Sequence, residues 1–205
     1  MKTQKDKQLS DEEKKELVAL KARLAELETV QSNEETKSGK IELDDYIPVV
    51  SLLPYRLNLS TREGGNGDIK RFYKFGEVKN ILYKDLVDIL EVNRSFMEAG
   101  YFYILNPDVI RRHGLDEVYS KILTKEKIEE IINNTNSEHC IELYNSANKE
   151  QQRIIIELLI DKVKQNPDSV NLNTVDKISR ISKIDILGKA EESKQLAAEL
   201  AEENK

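Results

Sequence analysis

The chain has 205 residues, of which 34% are charged, 39% hydrophobic and 6% aromatic, with no Trp. This length confines it to one ordinary domain with tails, or two small ones, and excludes a large multi-domain enzyme. A net charge of −6 excludes general attraction to nucleic acid or anionic lipid, so only a local basic patch supplies one.

No window approaches the roughly 20 apolar residues that a bilayer-spanning helix needs, so no membrane partner is expected. The charged segment 1–15 lacks the apolar run of a secretory signal, which makes the cytoplasm the expected location. The single cysteine, Cys140, forms no internal disulfide and removes cysteine-based zinc and iron–sulfur frameworks.

Residues 1–40 contain no aromatic residue, no proline and one glycine, Gly39. Ser10 followed by Glu13 is the reciprocal capping pattern of a helix start. Leu17, Leu20, Leu24 and Leu27 then recur at spacings of three and four, which places them in one seam. Two readings of this amphipathic helix stay open: an arm or coiled-coil segment that binds a partner through the four leucines, and a helix folded back on its own domain. The polar stretch Ser32–Lys40 reads as a flexible linker.

From residue 41 the pattern changes to short extended pieces. Ile47, Val49 and Val50, then Leu57 and Leu59, suggest strands that Pro48 and Pro54 keep at a sheet edge. The loop Glu63–Asp68 supplies three glycines and an asparagine for a hairpin turn. One or two further strands are expected between Phe72 and Tyr83. A helix over Lys84–Ala99 buries Leu86, Ile89, Leu90, Phe96 and Met97 and stops at Gly100. Tyr101–Leu105 reads as a central strand.

Asn106 and Pro107 open a run of helices. The first ends at Gly114 and a short one lies within Leu115–Leu123. Others follow over Lys125–Asn134 behind Thr124, Glu138–Ala147 behind Ser137, Glu150–Gln165, and Thr174–Ser182. The expected fold is α+β, a small antiparallel sheet with a packed array of short helices over residues 42–187. A charged helical arm and linker (1–40) precede it, and an acidic Ala-rich tail (188–205) follows.

No catalytic residue, metal ligand set or cofactor motif is assigned. The glycine loop matches neither phosphate-binding fingerprint, and strand-like residues follow it. His139 and Cys140 are helix neighbours about 100° apart and cannot form a nucleophile pair. Cys140 occupies an apolar position, and His113, beside Gly114, is expected to meet the last helix carbonyls. Asp85 with Asp88, and Glu129 with Glu130, read as solvated helix faces.

The densest candidate is the basic–aromatic run in which Lys70, Arg71, Tyr73, Lys74 and Lys79 interleave with Phe72 and Phe75. Cations and rings so interleaved suit a single-stranded nucleic acid. The same alternation also describes a strand with Phe72 and Phe75 inward and its charges in water.

Four stretches carry a resemblance: LNLST (Leu57–Thr61), FGEVKNILYKDL (Phe75–Leu86), NRSFMEAGYFYIL (Asn93–Leu105) and VIRRHGL (Val109–Leu115). Together they resemble virion-associated or assembly accessory proteins of tailed bacteriophages. The resemblance implies a non-enzymatic structural or interaction protein, in the host cytoplasm or the virion, whose partners are other subunits or copies of itself. It lends no site residue. The alternative is a nucleic-acid-associated protein using residues 70–84.

Overall fold

A computed structural model describes residues 41–133 and 136–203. The arm of residues 1–40, with Leu17, Leu20, Leu24 and Leu27, lies outside the described residues.

The described residues form an α+β domain built on two antiparallel sheets. Strands β1 (Tyr46–Ser51), β4 (Val78–Leu82) and β5 (Phe102–Ile104) form a sheet in the order β4-β1-β5, and β2 (Leu57–Ser60) pairs with β3 (Ile69–Phe72). The β2–β3 pair is the expected hairpin, with Leu57 opposite Phe72 and Ser60 opposite Ile69. Gly64 and Gly65 take φ of 66° and 77° in its loop, a region closed to most side chains. The Thr61 hydroxyl accepts the Asp68 amide across the loop at 2.9 Å.

Two expectations about the sheet are corrected. The central strand is β1, not Tyr101–Leu105, and Pro48 lies inside it. The hydrogen-bond parity explains how a central strand tolerates proline. Tyr83 N–H bonds Asp45 O and Ser51 N–H bonds Glu77 O, so the odd residues of β1 face β4 and the even ones face β5. The donor Pro48 lacks would point toward β5 beyond its last residue, Ile104. Its carbonyl is still used there, accepting Leu105 N–H at 2.9 Å.

The helix expected over Lys84–Ala99 is two helices, α1 (Tyr83–Val92) and α2 (Arg94–Ala99). Asn93 separates them with φ −111° and ψ 30°. Its buried carboxamide donates to Ser60 O at 2.7 Å and Ile89 O at 3.2 Å, anchoring the break to the end of β2. The break turns Phe96 outward, so it is 37% exposed, whereas Leu86, Ile89, Leu90 and Met97 are buried as expected. Gly100 ends α2 at φ 80°.

Among the described residues the helical array continues with α3 (Pro107–Arg112), α4 (Asp116–Tyr119), α5 (Lys125–Asn133), α6 (Ser137–Ser146), α7 (Lys149–Gln165), α8 (Leu172–Ser182) and α9 (Ile186–Glu203). Side chains of Asn106, Asn136, Asn148 and Asn171 accept first-turn amides of α3, α6, α7 and α8. Each such cap contributes about 1 kcal/mol. Ser137, expected to cap, is instead the first residue of α6 and buried, because Asn136 already holds the Glu138 and His139 amides.

Helix α7 packs against α5, α6 and α9, burying Ile154, Ile155, Ile156, Leu159 and Val163. Burial of each such side chain contributes roughly 1.5–3 kcal/mol relative to exposure. The tail boundary expected at residue 187 falls inside α9, which is held by buried Ile186 and Ala190.

Candidate interaction surface

Sheet register sorts side chains onto two faces. One face lies against α1 and carries Ile47, Val49, Ile81, Phe102 and Ile104, all buried. On the other, Tyr46 sits opposite Leu82, Pro48 opposite Asn80, and Val50 opposite Val78 and Tyr103. The α4–α5 side covers part of this outer face. Tyr103 stacks on Tyr119 with ring centroids 4.3 Å apart, and Val50 is buried. The remainder is open: Tyr46 is 66% exposed, Val78 49% and Leu105 43%. None of Tyr46, Pro48, Val78, Asn80, Leu82 and Leu105 is charged.

Sequence reasoning missed this patch because it assigned the prolines and β1 to an edge. A readable signal was present, since β1 and β4 carry apolar residues at both parities, as a sheet apolar on both faces requires.

The basic–aromatic run lies on β3 and the turn after it. Phe72 is fully buried and Phe75 half-buried, so both rings belong to the core side. Lys70 pairs with Asp85 at 2.8 Å and Lys79 with Glu77 at 3.3 Å. The Lys79 ammonium also stands 5.9 Å from the Phe72 centroid and 5.7 Å from that of Tyr73, within cation–π range. The Tyr73 amide and Lys79 together hold the Glu77 carboxyl below the usual carboxylate range. Arg71, Tyr73 and Lys74 are exposed. Among the described residues neither Arg71 nor Lys74 shows an ion pair. The run is therefore two exposed cations beside an exposed ring, with two further cations already matched.

The other sequence candidates disperse. Cys140 is fully buried, its thiol pushed up by that burial and directed to Glu130 O at 3.8 Å. The neighbouring His139 ring reaches a Glu130 carboxylate oxygen at 3.1 Å instead. The His113 imidazole does not turn to the helix carbonyls. Its Nε2 is 2.9 Å from the Tyr83 hydroxyl, and the Arg112 guanidinium lies over the Tyr83 ring, 5.3 Å from its centroid. Burial, then Arg112, lowers the imidazole's proton affinity.

Among the described residues no group of three or more His, Cys, Asp or Glu is placed to hold a metal, and no helix is long and apolar enough to cross a membrane. Comparison of the chain with protein-family models, curated proteins and solved structures finds no match.

Proposed function

We propose that this chain is a non-enzymatic structural or interaction protein, a bacteriophage virion or assembly component, which packs against a second copy of itself through the outer face of its sheet. The carrying observation is the exposed apolar patch of Tyr46, Val78 and Leu105. Contiguous apolar surface of this kind marks association sites. A second copy fits it on charge grounds. The chain carries −6 overall, so two copies repel through most approaches, whereas a two-fold axis through an uncharged patch opposes no like charges. The four phage-like stretches support the virion or assembly setting.

Sedimentation velocity on the full chain tests the interface. The expected result is a dimer that Tyr46→Lys and Val78→Lys each convert to monomer without altering the circular dichroism spectrum. A wild-type monomer at all concentrations, or dimers indifferent to both changes, refutes it. Quantifying the chain in purified particles and assembly intermediates of the phage that encodes it tests the setting. Absence from both refutes that part.

Exposed Arg71, Tyr73 and Lys74 support the second reading, a nucleic-acid-associated protein. Replacing Arg71 and Lys74 with Glu should then abolish retention on single-stranded DNA and RNA. Unchanged retention refutes it.

A further inference from the structure

We propose that the outer edge of β4 is a docking site for an extended acidic segment of a partner protein, which joins the sheet as a further strand. The parity that lets β1 carry Pro48 also fixes what this edge presents. Tyr83 N–H bonds Asp45 O and Ser51 N–H bonds Glu77 O, so the odd residues of β4 bond to β1 and the backbone groups of Val78, Asn80 and Leu82 point away from it. Among the described residues the N–H groups of Val78, Asn80 and Leu82 donate no hydrogen bond, and the carbonyls of Val78 and Asn80 accept none. Val78 and Asn80 are exposed, so a partner can reach them.

The sheet ends differently on its other side. The outward Ile104 N–H of β5 already donates to the Tyr119 hydroxyl at 3.1 Å, and Phe102 is fully buried. Open donors and acceptors in a row, as on β4, are a template for an added strand.

Charge decides which strand fits. Lys74, in the turn leading into β4, and Lys84, the second residue of α1, stand at the two ends of the edge, and both are exposed. Among the described residues neither shows an ion pair. Between them Lys79 shares the inner face with Ile81, its ammonium 3.3 Å from Glu77. Three lysines against one glutamate make this edge positive on a molecule of net charge −6. A second copy would bring its own lysines to the same line, and an inward lysine on an edge strand works against such pairing. An acidic strand meets opposite charge there instead. Residues set opposite Val78 and Leu82 share the uncharged outer face, where β-branched apolar side chains suit.

The test is NMR titration of the full chain with the acetylated, amidated peptide Glu-Glu-Val-Thr-Thr-Glu-Val-Glu-Glu. The amide protons of Val78, Asn80 and Leu82 should move downfield and gain protection from exchange. Those of Lys79 and Ile81, already bonded to β1, should change little. A Kd of about 0.1–1 mM is expected. Replacing every peptide Glu with Gln, or combining Lys74→Glu with Lys84→Glu, should weaken binding about tenfold. N-methylation of alternate peptide amides should abolish binding in one parity and spare it in the other, because only every second N–H of an added strand faces β4. Asn80→Pro removes an N–H that the fold does not use and should abolish binding with an unchanged circular dichroism spectrum.

Unmoved amides at Val78, Asn80 and Leu82, or equal binding by the two N-methylated peptides, overturns the site. Protection that grows with protein concentration in the absence of peptide would put a second copy on the edge and overturn it too. So would shifts at Arg71 and Lys74 with single-stranded DNA and none with the peptide, which assign these cations to nucleic acid. Tyr46→Lys should bind the peptide as wild type does, so this outcome and that of the sheet-face dimer are separable.

Discussion

Gln151 joins parts of the chain that helix propensity alone would leave unconnected. Its fully buried carboxamide accepts Leu123 N–H at 2.7 Å and donates to Leu123 O at 2.9 Å. A Cβ at Gly100 would lie 2.8 Å from its Cγ, so the glycine is required there for space as well as for its φ. Gln151→Leu keeps the bulk and removes both bonds. An orphaned buried backbone group costs about 1–3 kcal/mol, so urea denaturation should register a loss of about 2–4 kcal/mol. A loss under about 0.5 kcal/mol would mean that water replaces the carboxamide.

Tyr119 does comparable work on β5, its hydroxyl accepting Ile104 N–H at 3.1 Å at the sheet's edge. Neither role was legible in the sequence, because the partner in each case is a backbone group, and backbone groups carry no residue identity. Glu157 supplies the pH signature at this scale. Its folded-state affinity for a proton is raised. Its contribution is therefore intact below the ordinary glutamate value of about 4.3 and declines as pH rises through the raised folded value. Glu157→Gln should raise the urea midpoint at neutral pH and leave it unchanged near pH 3. His113 has the opposite sign. Its lowered affinity makes stability fall as pH drops below about 6.5.

The elements were legible where chemistry is local and misread where it is not. Asn106 followed by Pro107 announces α3 because both residues act within one turn. The break at Asn93 was hidden because it depends on Ser60 O, 33 residues earlier. The candidate surface divides the same way. The alternation of cations and rings along residues 70–79 is visible in the string. That Lys70 is matched by Asp85 is visible only once α1 lies beside β3.

The junction of α8 and α9 offers a prediction of its own. Lys183 ends α8 with φ 60°, and a side chain in the left-handed region costs about 1–2 kcal/mol. Lys183→Gly removes that cost but adds about 0.5–1 kcal/mol of unfolded-chain entropy. A net gain of about 0.5–1 kcal/mol in thermal or urea unfolding is expected. A loss would mean that the lysine side chain makes a stabilising contact that outweighs the backbone strain.

At the scale of the whole molecule, salt separates the two functional readings by sign. Two copies meeting through an uncharged patch each bring −6. Their mutual repulsion is screened as the Debye length shrinks from about 14 Å near 50 mM to about 6 Å near 300 mM salt. The burial that holds them together is insensitive to salt in this range. Homotypic association should therefore tighten as salt is added.

Nucleic acid behaves in the reverse way. With Arg71 and Lys74 as the cations of the run left without an ion pair among the described residues, about two phosphates are neutralised. A single strand then loses affinity with a log–log slope of about −1.4, or roughly tenfold between about 50 and 300 mM. Measuring the dimer constant by sedimentation and single-strand retention across that range, on one preparation, tests both. A dimer that weakens with salt would mean that charge pairs and not the sheet face join the copies. Retention that ignores salt would remove phosphate contact, and with it the role of Arg71 and Lys74.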